Sequence, residues 1–480
     1  VNKSMPTDII VETSVNQTRI GVVEDQKLVE LYIDIEMKQK TVGNIYRGVV
    51  KKILPGIQAA FVDIGQEKNG FIYLKELEET LSKEGNVRRL KEGDYITVQI
   101  EKEAMGTKGP KLTSHISIPG KYIVFIPREN SIGISKKIDN EEERNRLKSI
   151  FEKYKPKNCG IIVRTECVGK EEEEIIREIQ FLAMLWESIE KKEQYVTAPV
   201  LLYKEVSSAL KIARDLLSSK IRHYIVNDIN LYHEVRNFIN EISPELTEKI
   251  QYKDEEHLFQ YFLIESQIDK ALQRHIWLKS GGMIIIDHTE ALTVIDVNTA
   301  KFVGKKNMEK TILKTNIEAA QEIARQIRLR NIGGIIIIDF IDMKAEEDKK
   351  MVLNVLSQEL KKDRVPTTVL GITKLGLVEM TRKKTDPSLT SLLFNRCPRC
   401  DGRGMTPSIK YIGDHIEKEI DFIFTHTIYT KIIIEANKEI IEWFHLNGYK
   451  EALEKKYNKS ISFIENNTLT NENYKIIKEK

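Results

Sequence analysis

Two acid-bearing stretches carry the chemistry for which this chain is equipped. "LTVIDVN" ends with Asp296 and Asn298, and "GGIIIIDFIDM" places Asp339 near the end of a second apolar run. Strand side chains repeat every second residue, so Asp296 and Asn298 share one face. A carboxylate closing an apolar strand can cap a turn. Two of them, at the same end of neighbouring strands, fit a shared hard cation better. Mg²⁺ takes oxygen ligands, keeps several waters and needs only one or two carboxylates. Such an ion activates water and offsets charge on an attacked phosphate. Asp287 and Asp342 compete for the role on spacing alone. The nine histidines are scattered singly, without ligand spacing or an evident acid–base pair. That argues against a mechanism built on two histidines and an RNA 2′-hydroxyl.

Three other constellations are weaker when taken one at a time. "CPRC" pairs Cys397 with Cys400, followed by Gly402 and Gly404. It offers two of the four ligands that structural zinc wants. Cys159 and Cys167 are the remaining cysteines, but they flank an expected strand and Cys167 reads as a packed small residue. A second chain donating its own pair closes the site instead, making zinc an oligomer clasp. A redox pair would want a strand-to-helix turn, which the glycine-rich flank does not offer. Phe61, Phe71 and Lys108 combine aromatic faces with positive charge, as single-strand binders require, although a barrel phenylalanine is commonly core. Arg164 and Thr165 close "IIVRT" with a guanidinium and a hydroxyl, a pairing that suits a terminal phosphate.

The elements that must position these residues follow from the patterning. Residues Ile9 to Asp34 alternate apolar and polar positions and read as short strands. From Gly43, "NIYRGVVKKIL", "IQAAFVDIG", "GFIYL", "YITVQIEKE" and "LTSHISI" predict a small closed barrel of the OB kind. Gly120 to Pro199 reads as strand, helix, strand, helix, the second helix opening in the acidic run "KEEEEIIREI", taken as a solvated face. Residues 200–270 look mostly helical, with "YIVND" as a strand. "GGMIIID" and "LTVIDVN" then pair, and "GGIIIIDFIDM" is expected to be a fully buried strand. An amphipathic helix from Asn307 to Arg330 separates them, stopped by "NIGG" with its C-terminal glycine. After the loop "CPRCDGRG", a small α/β unit is expected from residue 407.

Composition sets the frame. A chain of 480 residues exceeds what one core organises, about 250–300, so several domains are expected. Hydrophobic content of 41% with 31% charged residues is ordinary for a globular protein. No apolar run reaches the roughly 18–20 residues of a membrane span, and no signal-peptide pattern opens the chain. The expectation is a cytoplasmic protein, and four cysteines fit a reducing compartment. A net charge of +3 does not itself argue for nucleic acid, so local patches must supply any RNA affinity.

Taken in order, "GIQAAFVDIGQEKNGFIYLKE", "GGMIIIDHTEALTVIDVNTAK", "TNIEAAQEIARQIRLRNIGGIIIIDFIDM" and "CPRCDGRG" resemble the ribonuclease E/G family from near the N-terminus to about position 406. The resemblance implies a multidomain α/β and α+β chain. An RNase H-like domain (1–34 and 208–272) would be interrupted by an S1-type OB barrel (35–118) and a 5′-end sensor (119–207). A DNase I-like catalytic domain (273–392), a zinc link (393–406) and a small domain (407–480) would follow. It implies Mg²⁺ on Asp296 and Asp339 with Asn298 in support, which selects Asp339 over Asp342. It further implies Zn²⁺ on Cys397 and Cys400 shared between two chains, RNA on Phe61, Phe71 and Lys108, and a 5′-monophosphate on Arg164 and Thr165. A homodimer, or a tetramer built from it, would follow from the shared zinc. Pro366 stands where some members carry a basic residue near the sensor, which weakens the expected 5′-end preference. No long Pro- or Arg-rich tail follows the small domain, so the chain looks nearer the ribonuclease G branch than scaffold-bearing ribonuclease E.

The expected activity is Mg²⁺-dependent endonucleolytic hydrolysis of single-stranded RNA, leaving 5′-phosphate and 3′-hydroxyl ends, in rRNA maturation and mRNA decay. A non-catalytic dimeric RNA-binding protein is the rival from another class, and the intact acids speak against it. A DNase using the same metal pair is disfavoured by the stacking barrel and the sensor.

Overall fold

A computed structural model describes residues 6–35, 41–77, 90–104, 108–299, 308–400, 402–470 and 472–479. Asn307, the expected helix start, and Asp401 of "CPRCDGRG" lie outside them. The chain divides into two units, Val1–Leu389 and Thr390–Lys480.

Distant stretches of sequence build the first unit. Strands Thr7–Thr13, Gln17–Glu24 and Lys27–Ile35 form an antiparallel meander, extended by Ile221–Val226 and Ile250–Tyr252 running parallel to the first. Between these halves lies the barrel. Ile45–Leu54, Ala59–Asp63, Gly70–Tyr73, Lys111–Thr113 and Tyr95–Lys102 pair in ring order, and the last closes on the first. Closure removes the sheet edges that a short open meander would leave unpaired. Val200–Tyr203 adds to the outside of Ile45–Leu54.

A four-stranded sheet follows the barrel, with Ile123–Pro127 and Cys159–Val163 at its centre. Helix Glu172–Tyr195 covers it with Ile175, Ile179 and Leu182. Here the solvated-face reading of "KEEEEIIREI" needs correction. The first-turn glutamates do face outward or sit half-buried, but Glu178 is 1% exposed. Its carboxylate accepts hydrogen bonds from the main-chain N–H groups of Lys121, Tyr122 and Ile123. Burial pushes it up to about 7 against those three donors, so it acts as a capping group for the incoming strand.

The last sheet of this unit has six strands in the order His275–Trp277, Met283–His288, Leu292–Asn298, Gly334–Asp339, Val378–Arg382 and Thr367–Ile372. Leu292–Asn298 and Gly334–Asp339 run parallel, which demands a crossover, and helix Met308–Leu329 provides it. That helix and Glu346–Leu360 bury Ile284, Ile295, Val297, Ile336 and Ile338 beneath one face. Among the described residues, the side chains of the other face are half-buried or exposed. Gly334–Asp339 is therefore not the fully buried strand its run of isoleucines suggests, for Ile335 is 50% exposed while Ile336 is buried. The stop of the crossover helix differs too. Asn331, at φ +49°, is its left-handed residue, and the N–H groups of Ile332 and Asn331 bond back to Ile327 and Arg328. Asparagine tolerates that conformation, so neither glycine of "NIGG" is needed for the cap. Gly334, at φ +100°, opens the next strand instead.

In the second unit, helices Ile409–His426, Lys438–Leu446 and Tyr449–Tyr457 share a core with the sheet Ser460–Glu465, Lys431–Ala436, Tyr474–Glu479. Ile416, Ile420, Ile432, Ile434 and Phe444 fill it, so this unit buries apolar surface of its own.

Candidate active site

Alternation decides which side chains reach the face of the six-stranded sheet opposite the helices. Because Ile295, Val297, Ile336 and Ile338 point to the helices, Asp296, Asn298 and Asp339 point away from them. The parallel register sets Asp296 directly opposite Asp339. Both lie toward the carboxyl ends of their strands, the usual position for ligands of open α/β sheets. Asn298 Nδ2 donates to Asp296 Oδ2 at 2.6 Å, fixing that carboxylate's rotation.

Residues Asp296–Thr299 and Asp339–Asp342 line a pocket of about 250 Å³ above the pair. No described lysine or arginine ion-pairs with Asp296, Asp339 or Asp342. Partial burial, then the nearby charges of Asp296 and Asp342, hold the Asp339 carboxyl above the usual range. Among the described residues, the pocket thus gathers carboxylates with no cation paired to them, which is a donor set a hard divalent cation satisfies. Among the described residues, no group of three or more His, Cys, Asp or Glu is gathered as metal ligands. What is gathered is two carboxylates and an amide, enough for an ion that keeps its waters.

The competing aspartates separate on geometry. Asp287 is engaged by Arg274, whose Nε and Nη2 reach its two oxygens at 2.5 and 2.7 Å. Asp342 lines the pocket but lies beyond the strand end. Sequence reasoning missed Trp277, 57% exposed on the edge strand. It lies in one cross-strand row with Met283 and Asn298, and the alternation of "HIW" was the signal that could have found it.

On the barrel, Phe61 and Phe71 are cross-strand neighbours with ring centroids 6.2 Å apart. Both are half-buried on the outer surface, whereas the barrel core is filled by Val62, Ile72 and Leu112. Tyr73, 48% exposed and 4.9 Å from Phe71, extends the aromatic stripe and was also missed; its i, i+2 spacing from Phe71 is the signal. Lys108 is exposed at the barrel's rim. Arg164 and Thr165 follow strand Cys159–Val163 as expected. Arg164 is already engaged, however, donating from Nη1 to the Gly120 carbonyl at 2.6 Å and to Asp215 Oδ1 at 2.9 Å. Thr165 is half-buried, and its hydroxyl reaches Glu166.

In the second unit, Cys397 and Cys400 sit in an exposed loop, whereas Cys159 and Cys167 are buried in the first unit's core. Gly404 donates its N–H to Cys400 Sγ at 3.3 Å. Main-chain N–H groups of Cys400 and Arg399, together with the Cys400 side chain, draw the Cys397 thiol below the usual range. Donors aimed at sulfur favour thiolate, the form that binds metal, so the pair fits half of a zinc site.

Comparison with known proteins bears on the chain as a whole. The model of the Ribonuclease E/G family matches residues 117–385, and that of the S1 RNA binding domain matches residues 39–114. Ribonuclease G of Haemophilus influenzae is 39% identical over 449 residues, covering 91% of each chain. Ribonuclease G of Escherichia coli is 40% identical over 430 residues, covering 87% of this chain and 88% of that one. Ribonuclease E of a Nostoc species is 39% identical over 412 residues, 84% of this chain and 59% of its own. A mixed α/β chain carrying an S1 barrel, with relatives matched over most of its length, this protein belongs to the ribonuclease E/G family.

Proposed function

We propose that this chain is an endoribonuclease that cuts single-stranded RNA by Mg²⁺-assisted hydrolysis, leaving 5′-phosphate and 3′-hydroxyl ends. The observation that carries the reading is the pair Asp296–Asp339, set in register and lining one pocket with Asn298 and Asp342. Asp296 and Asp339 would hold the ion, and Asn298 would keep Asp296 turned toward it. Mg²⁺ bound there supplies a Lewis acid and a water of lowered pKa. In the reaction, the oxygen of water bonds to phosphorus and the bond to the 3′ oxygen breaks. The proton lost by water ends on that oxygen. Phe61 and Phe71 hold the strand by stacking, worth about 1–3 kcal/mol per base, and Lys108 offsets backbone charge.

The finer architecture belongs to the same reading. The sheet that joins residues 7–35 to 221–252 is the RNase H-like part, residues 119–207 the 5′-end sensor, and the six-stranded sheet the DNase I-like part. Cys397 and Cys400 bind Zn²⁺ together with the same pair from a second chain, giving a homodimer. Family membership supports a role in rRNA maturation and mRNA decay, carried out in the cytoplasm; no helix among the described residues is long and apolar enough to cross a membrane. The test is cleavage of a short 5′-phosphorylated RNA with and without Mg²⁺, with the product ends identified. Metal-dependent products bearing 5′-phosphate are expected. Cleavage unaffected by chelation, or products with cyclic phosphate ends, would overturn the mechanism.

A further inference from the structure

One fully buried polar side chain beside the acid pair has no part in the mechanism above. Asn316 lies within helix Met308–Leu329 and is 0% exposed. Asparagine is a poor choice for a helix interior, because its side chain competes for backbone hydrogen bonds, and a buried amide is costly unless it is bonded. Asn316 is bonded in both directions to one residue. Its Nδ2 donates to the Ile341 carbonyl at 2.8 Å, and its Oδ1 accepts from the Ile341 N–H at 3.1 Å.

Ile341 is where the sheet stops holding the chain. Pairing of Gly334–Asp339 ends at Asp296↔Asp339 on one side and Ile338↔Val378 on the other. The main chain of Ile341 lies beyond both ladders, between the pocket-lining Asp339 and Asp342. The amide of Asn316 thus presents one donor and one acceptor, the same groups a neighbouring strand would offer. Phe340, 6% exposed, anchors this segment in the core beneath the sheet. Asp296, Asp339 and Asp342 line one pocket, and two of the three sit at the ends of this short segment, so a hold on Ile341 bears on how they converge.

We propose that Asn316 is a positioning residue: it fixes the Phe340–Asp342 segment, and through it the approach of Asp339 to Asp296. This rests on the metal-assisted reading of that pair. Outer groups that orient metal-binding carboxylates typically matter about 10–100-fold in metal affinity or activity.

The test compares native protein with Asn316→Leu and Gln326→Leu. Gln326 is the control, a 1% exposed amide on the same helix whose side chain bonds to Glu322 and Arg330. Mn²⁺ binding is followed without RNA by loss of the free-ion EPR signal, and kcat and KM are measured separately in Mg²⁺. Asn316→Leu is expected to weaken Mn²⁺ binding about 10–100-fold and to lower kcat with KM nearly unchanged. Gln326→Leu should leave Mn²⁺ affinity as it was, whatever stability it loses. If circular dichroism shows Asn316→Leu unfolded, Asn316→Asp carries the same comparison, since it keeps the acceptor for the Ile341 N–H and loses the donor. Mn²⁺ affinity within about twofold of native, or equal weakening in the Gln326 control, would overturn the assignment. A native protein that binds no Mn²⁺ would overturn the function and this inference together; native binding with an unaffected variant overturns this one alone.

Discussion

A guanidinium that reads a terminal phosphate must share what it already holds. Arg164 bonds to the Gly120 carbonyl and to Asp215, which also pairs with Arg214. Burial alone would raise the Asp215 carboxyl, but Arg214 and Arg164 outweigh it and keep it charged. Removing Arg164 therefore costs local structure as well as phosphate contact, while Thr165→Val gives up one half-buried hydroxyl and its bond to Glu166. Thr165→Val is expected to lower the preference for 5′-monophosphate over 5′-hydroxyl RNA by severalfold. The double change with Arg164→Ala should lower it about tenfold or more, since hydrogen bonds to charged groups are worth about 1.5–3 kcal/mol. Cleavage rates on paired substrates measure this, and a native protein without any preference would contradict the sensor assignment. At this scale much was legible before the structure. Alternation alone put Asp296 and Asn298 on one face, whereas spacing left Asp287 and Asp342 in competition with Asp339 and only the family resemblance chose among them. Asn316 and Glu178 were not legible, because a buried amide and a buried carboxylate are defined by what lies across from them in space.

Elements were read well where local pattern decides them and poorly where a neighbour does. The barrel strands carry their own alternation and turn signals, and the crossover helix its own period. Whether "GGIIIID" is covered on one face or two depends on how many helical layers reach it, which no local pattern encodes. The same holds for the link between the first sheet and the crossover helix. Glu30, 9% exposed on strand Lys27–Ile35, accepts from Arg328 at 2.9 Å and from Arg364 and the Tyr32 hydroxyl at 2.6 Å. Burial pushes its carboxyl up, but Arg364 and Arg328 outweigh that and hold it at about 2. A carboxyl depressed on folding adds stability above its unfolded value of 4.5, and that stability is lost as pH falls from there toward 2. Glu30→Gln should therefore cost about 3–5 kcal/mol at pH 7, because it leaves Arg328 buried and underpaired. The cost should shrink as pH drops below about 4.5. Urea unfolding across that range checks the sign, and a pH-independent difference between the two proteins would refute it.

At the scale of the whole molecule, each unit encloses its own core, so metal at the cysteine loop is expected to govern assembly and not folding. Two thiolates per chain leave a four-coordinate zinc half satisfied. Native protein should contain zinc at half a mole per chain and lose its dimer on chelation, and Cys397→Ser with Cys400→Ser should be a folded monomer. Metal analysis with light scattering on one sample decides it; one zinc per chain, or an unchanged dimer in the double variant, would mean that the site closes within a single chain. Binding and cutting should separate in the same way, since the aromatic stripe lies on the barrel and the acid pair on the six-stranded sheet. The most direct measurement is therefore cleavage and RNA affinity side by side, across a Mg²⁺ titration, for native protein, Asp296→Asn and Asp339→Asn. Each variant is predicted to bind single-stranded RNA as tightly as native protein in the absence of metal and to cleave it at least about a thousandfold more slowly at every Mg²⁺ concentration. Turnover near the native rate in either variant would contradict the account.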